Sequence, residues 1–296
     1  MAIVLGGNQY GKAEIRLVRV VRDDPTHELR DLNVSVALSG DLTASHYTGD
    51  NAKVLPTDSQ KNTVYAFAEQ YGIGEIESFA LRLGRHFVDS QPSISRARVS
   101  VQEYGWRRLG PHSFQRSGAE TRTVTVTVEQ GSDGSAGGVW VVSGLTDLVL
   151  LNTTASEFTG YVKDAYTTLP EATDRVLATA VTAGWRHAGT DSDWAASYAG
   201  AREALVEAFA NTYSHALQQT LYAMGSVLLA RRPELVEVRL SLPNRHHFLV
   251  DLSPFGLDNP GEVFHADDRP YGLIEGTVLR DDAAPAGPAW AAPWSS

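Results

Sequence analysis

The chain of 296 residues contains no cysteine, which excludes disulfides, thiolate nucleophiles and thiolate metal sites together. Any redox chemistry therefore needs a cofactor, a metal held by nitrogen and oxygen ligands, or the electrons of the substrate itself. Lysine is scarce as well: of 25 basic residues only those at 12, 53, 61 and 163 are lysine. A lysine near a candidate site is then informative, because its proton affinity is tunable where that of arginine is not. No apolar run approaches the roughly 20 residues of a membrane span. The apolar patch Ile3-Val4-Leu5 has neither the basic flank nor the length of a secretory signal, so residence in the cytoplasm, away from membranes, is expected. An excess of positive charge is also missing: the net charge of −10 argues against a nucleic-acid or acidic-membrane partner. An anionic small substrate would have to be held by local cations.

What is present is two kinds of periodicity. Apolar residues alternate in Leu32–Leu38, Thr123–Val128 and Val236–Leu242, the pattern of half-buried strands. Ile76, Phe79, Ala80, Leu83 and Phe87 recur at helical spacing, as do Leu217, Leu221, Met224 and Leu228. In order, strands are expected over 9–22 and 30–42, helices over 60–71 and 75–88, and strands over 95–107 and 120–130. The second half repeats this with strands 138–151 and 175–187, helices 193–211 and 214–231, strands 234–243 and 247–252, and a further strand near 271–280. Each half reads β-β-α-α-β-β, an antiparallel α+β fold with helices on one sheet face. A prior of roughly 150 residues per domain also predicts two modules. The glycine-rich run 131–138 separates them, giving modules 1–134 and 135–282 and an Ala/Pro-rich tail 283–296, in which Trp290 and Trp294 point to docking on a neighbouring surface. Residues 105–118 read as a polar, irregular loop.

Three segments carry candidate chemistry. The strand ending at Ser241-Leu242-Pro243 presents Asn244, Arg245, His246 and His247. His246 shares the parity of Phe248 and Val250 while His247 faces the other way, so one imidazole can enter a pocket. Adjacent strand residues diverge and no carboxylate-rich partner motif accompanies them, so no metal is implied. Lys12 stands at a strand start, where it would need a neighbour such as a threonine hydroxyl to relay its proton. In Pro56-Thr57-Asp58-Ser59, Asp58 or Ser59 is expected to cap the helix near 60, and the N–H groups of that helix start could also face an anion or carbonyl.

Tyr10-Gly11-Lys12, Thr57 to Tyr65, Tyr166-Thr167-Thr168-Leu169, Thr173-Asp174-Arg175, Gln218 to Tyr222 and Ser241 to His246 follow one another as the ordered motifs of urate oxidase do. The resemblance runs from residue 8 to about 280. It implies two tunnelling-fold (T-fold) modules per subunit, and a homotetramer whose barrel encloses a tunnel with active sites between subunits. It further implies that Arg175 and Gln218 read the edges of urate, that Phe158 stacks on the purine, and that Asp58, Leu217 and Leu169 line the pocket. Lys12, Thr57 and His246 would relay protons, and Asn244 with Thr57 would hold dioxygen or water. Urate and dioxygen are the implied partners, with no cofactor. Arg245 stands where many members have lysine, and residues 89–118 match the family pattern poorly. Two other classes remain open: a purine- or pterin-converting enzyme of the same fold, which would anchor its ligand through a glutamate, and a non-catalytic purine-binding oligomer.

Overall fold

The computed structural model describes residues 1–131 and 137–291. The chain forms two compact units, one of Met1–Gly144 with Arg186–Ala195 and Ala284–Ser296, the other of Leu145–Trp185 with Ala196–Ala283. The expected module boundary at 134/135, and Trp294 in the tail, lie outside the described residues.

In the first unit β1 (Tyr10–Val21), β2 (Glu28–Gly40), β3 (Ile94–Arg108) and β4 (Phe114–Glu129) pair antiparallel in that order, with the first half of β5 (Val139–Asn152) beside β4. Between β2 and β3 the chain forms α1 (Thr43–Thr48), α2 (Thr57–Gln70) and α3 (Ile76–Ser90). α3 lays the apolar face read from its spacing onto β3 and β4: Phe79, Leu83 and Phe87 are fully buried against Val34, Val36, Val99, Val101 and Val126. Truncating such a phenylalanine to alanine typically costs about 3–5 kcal/mol. The tail residues Gly287–Trp290 form a 3-10 turn whose Ala289 is buried. It is held by Arg98, which donates to the carbonyls of Pro288 and Ala291.

The second unit has the second half of β5, then β6 (Leu177–His187) but for its last two residues, α4 (Trp194–Asn211) but for its first two, α5 (Leu217–Arg231), β7 (Leu235–Pro243), β8 (His246–Leu249), β9 (Phe264–Asp267) and β10 (Leu273–Leu279). Its sheet runs β5-β6-β7-β10, and α5 packs on β7 and β10 through Leu221, Met224 and Leu228. The antiparallel α+β class and the doubled β-β-α-α-β-β order hold.

Three local expectations are corrected. The fourth strand of the second repeat is β10, paired antiparallel to β7 from Leu273↔Pro243 to Leu279↔Glu237, whereas the strand expected at 247–252 turns away and pairs with β9 in a separate two-stranded sheet. The proline at 243 lacks the N–H needed to continue the ladder. Of residues 105–118 only 109–113 are a loop: β3 and β4 extend into a long hairpin pairing Trp106↔Arg116 and Arg108↔Phe114. That extension is held by polar and ring contacts, with Trp106 Nε1 donating to Asp31 at 3.0 Å and the Arg116 guanidinium 4.2 Å from the centre of the Tyr104 ring, so it shows no alternation of apolar residues. Finally, α2 begins at Thr57 with Pro56 at its cap and no capping side chain. Asp58 sits in the first turn and spends its oxygens on Lys61 and Asn62, at 2.5 and 3.1 Å.

Candidate active site

The first group of expected residues lies in the first unit. Between Lys12 and Ile15 the register of β1 against β2 slips: Lys12 pairs with Val36 and Ile15 with Val34, so three steps on β1 answer two on β2. Glu14, in the left-handed region at φ 58°, takes up the extra residue, which makes this a β-bulge. Directly opposed residues share a sheet face, and Val34 and Val36 both face the helices. The bulge therefore turns Lys12 to the helix side, together with Ile15, although simple alternation from Ile15 would send it to the opposite face. On that side the Tyr10 hydroxyl accepts the Leu55 N–H at 3.0 Å and ties the start of β1 to the segment entering α2. Gly11 permits the close approach, since a Cβ there would stand 1.8 Å from the carbonyl oxygen of Val36.

Thr57 is half-buried at the first position of α2, and the helix bonds begin only with Gln60 N–H to Pro56 O. The N–H groups of the first turn thus have no intrahelical acceptor. The Lys61 hydrogen bond, then the Lys61 charge, hold the exposed Asp58 carboxyl below its ordinary value, and the charge of Lys12 adds to this. Lys12, Thr57 and Asp58 are one neighbourhood.

The second group lies in the second unit, and Ser156 is its hub. Arg175 donates its backbone N–H to Ser156 O at 2.8 Å and its Nε to Ser156 Oγ at 3.2 Å. Phe158 and Ala172 exchange backbone hydrogen bonds of 2.8 and 3.1 Å, which holds the Phe158 ring 5.4 Å from the Arg175 guanidinium. Ser156 also bridges Ser214, just ahead of α5, whose first residues are Leu217, buried, and Gln218, exposed. Thr220 anchors that helix start by donating to Ser214 Oγ at 2.8 Å. Burial lowers the proton affinity of Arg175, yet a guanidinium stays charged in a protein. The result is a ring, a planar cationic fork and an amide on one hydrogen-bonded frame.

The strand end joins this frame through β6. Asn244 bridges Thr179, Arg245 N–H reaches Ala178 O at 2.8 Å, and Asn244 N–H reaches Gly272 O at 2.8 Å. His246 follows in β8 with its ring stacked beside Phe248 at 5.6 Å, as parity requires, while His247 Nδ1 bonds back to Arg245 O at 3.0 Å. Leu169 is exposed. Among the described residues no three His, Asp or Glu side chains converge as a metal-binding group, and no helix is long and apolar enough to cross a membrane.

Sequence reasoning missed two participants. Tyr161 stacks on Phe158 with centroids 4.8 Å apart and planes 11° from parallel; the signal available was Gly160 between them, whose φ of 69° lies in the left-handed region that favours glycine. Ser156 was the other, a small residue with no pattern of its own.

A family model described as Uricase matches residues 8–127 and 141–275. A uricase of Arthrobacter globiformis is 49% identical over 97% of this chain and 94% of its own length. One of Oryctolagus cuniculus is 38% identical over 92% and 93%. The crystal structure of the Arthrobacter globiformis uricase superposes with a TM-score of 0.93, at 48% identity, covering 98% of this chain and 99% of that one. The uricase of Bacillus fastidious gives 0.79 at 26% identity, over 92% and 93%.

Proposed function

Because this chain belongs to the uricase family, we propose that it converts urate, dioxygen and water to 5-hydroxyisourate and hydrogen peroxide in the cytoplasm. The observation that carries the proposal is the Arg175–Ser156–Phe158 frame tied to the start of α5. Urate is flat, anionic and edged with donors and acceptors. A guanidinium fork reads such an edge with paired hydrogen bonds, Gln218 adds an amide to the neighbouring edge, and Phe158 covers a face. Leu217, Leu169 and the backbone of Asp58 complete the walls.

Deprotonated urate is electron-rich enough to reduce dioxygen without a cofactor, so the protein binds, deprotonates and positions. Lys12, Thr57 and His246 form the proton relay, and Asn244 with Thr57 holds dioxygen and then water over the purine plane. In this arrangement Lys12 and Thr57 come from one subunit and Arg175, Gln218, Asn244 and His246 from another, within a homotetramer. The bulge that turns Lys12 to the helix side, where its charge reaches Asp58 beside Thr57, supports the first half of the relay.

The deciding assay mixes chelator-treated protein with urate and follows the near-ultraviolet absorbance of urate, oxygen uptake and peroxide release. Equimolar loss of urate and oxygen with matching peroxide is expected. No turnover, or turnover only after a metal is added, overturns the proposal.

A further inference from the structure

We propose that Glu157 and His215 are positioning residues of the urate site: their contact clamps the Phe158 arm against the helix start that carries Leu217 and Gln218. The proposal rests on the function proposed above. Glu157 and His215 stand 58 residues apart in sequence, yet Glu157 Oε1 lies 2.7 Å from His215 Nδ1. A carboxylate accepts, so Nδ1 carries the proton. The second carboxylate oxygen accepts the Tyr213 hydroxyl at 3.1 Å. Those two hydrogen bonds, His215 first, keep the Glu157 carboxyl below its ordinary value and hence ionised as an acceptor.

The backbone repeats the grip. Glu157 N–H donates to Ser214 O at 2.8 Å and Ser214 N–H to Ala155 O at 2.9 Å. Tyr213 and His215 flank Ser214, so their side chains leave the same side of the bridge and close on Glu157 from both ends. Glu157 adjoins Phe158, the ring that would cover the purine. His215 precedes Leu217 by two positions, and its N–H donates to Gln219 Oε1 at 2.8 Å, fastening it to the first turn of α5. Two backbone hydrogen bonds alone would let the arm rock about the bridge. The carboxylate clamp sets the spacing between the Phe158 ring and Gln218, and therefore how well a flat ligand fits both.

The test compares Glu157→Ala, Glu157→Gln, His215→Ala and wild type in urate kinetics and in equilibrium binding of xanthine, a flat analogue. His215 is exposed and Glu157 half-buried, so loss of the pair is expected to raise the KM for urate about three- to fivefold. Xanthine affinity should fall by the same factor, and kcat should stay within about twofold. Glu157→Gln keeps an oxygen that accepts from Tyr213, and its NH2 can donate to His215 Nδ1 once the imidazole carries its proton on Nε2, so it should recover most of the affinity. An unchanged KM in both alanine variants, or a loss confined to kcat, overturns the clamp. Wild-type protein that does not oxidise urate overturns the underlying function instead. Should Glu157→Ala not fold, His215→Ala breaks the same contact from the exposed side of the pair, and its KM decides.

Discussion

Arg122 reaches Glu77 across 2.7 Å inside the first unit, where Glu77 is 0% exposed and Arg122 also holds Glu75 at 2.8 Å. Ser143 donates to the other Glu77 oxygen at 2.8 Å, and His187 Nε2 lies 3.0 Å from that hydroxyl. Burial holds the Glu77 carboxyl above its ordinary value even though the Arg122 charge pulls the other way. A carboxyl so raised contributes stability below its unfolded pKa and loses it as pH rises through the folded value. Removing Arg122 takes away the downward pull, so at neutral pH folding must either bury an unpaired charge or protonate the carboxyl. Arg122→Met is therefore expected to cost about 3 kcal/mol near pH 7, with the deficit shrinking as pH falls toward about 5. Thermal melts at both pH values check this. A deficit that ignores pH would assign Arg122 to packing alone.

Arg175→Ala should act on binding more than on turnover. A charge-assisted hydrogen bond is worth about 1.5–3 kcal/mol, so the KM for urate should rise about ten- to a hundredfold. Arg175→Lys should recover little, because an ammonium cannot reproduce the planar fork. Steady-state kinetics decide it, and an unchanged KM removes Arg175 from the site.

Lys12→Met should leave analogue binding intact while lowering kcat by about 10²- to 10⁴-fold, the range of a lost proton-transfer group. Lost analogue binding would instead make Lys12 a substrate-holding residue. If each site takes Lys12 from one subunit and Arg175 from another, subunits of Lys12→Met and Arg175→Ala refolded together should regain activity at about a quarter of the sites, by random assembly within a symmetric oligomer. Activity no higher than the sum of the separate variants would place the whole site in one chain.

Arg98→Ala should release the tail. Arg98 is 7% exposed and loses proton affinity chiefly through burial, so its hydrogen bonds to Pro288 and Ala291 span a protected contact. A loss of about 1–3 kcal/mol is expected for unsatisfying those carbonyls. Limited proteolysis should then cut between 280 and 291 at protease levels that spare the wild type; equal resistance would show that Ala289 holds the tail without Arg98.

The elements with strong periodicity were legible. Phe79, Leu83 and Phe87, and Leu221, Met224 and Leu228, lie on the buried faces their spacing predicts, since a helix stripe is repeated over several turns. β9, with four residues, was too short for any period to form. The β3–β4 extension was hidden because arginine, tyrosine and tryptophan hold it where alternating aliphatics would have announced it. In the candidate site the residues came from family motifs, but their support did not. Nothing in the sequence marks Ser156 as a hub, because its partners Arg175 and Ser214 meet it only in the fold.

The bulge at Lys12 makes β1 a strand with two phases. Downstream of Glu14 its even and odd positions serve the core one way, and upstream they serve it the other. Position and orientation are therefore separate inheritances on this strand: a substitution at Ala13 or Glu14 leaves the count intact, but deleting either residue would keep every functional side chain in the sequence and still swing Lys12 through half a turn. Such a deletion should fold, bind xanthine and fail to turn over urate. Catalysis retained at wild-type rate would show that the phase of the strand does not matter.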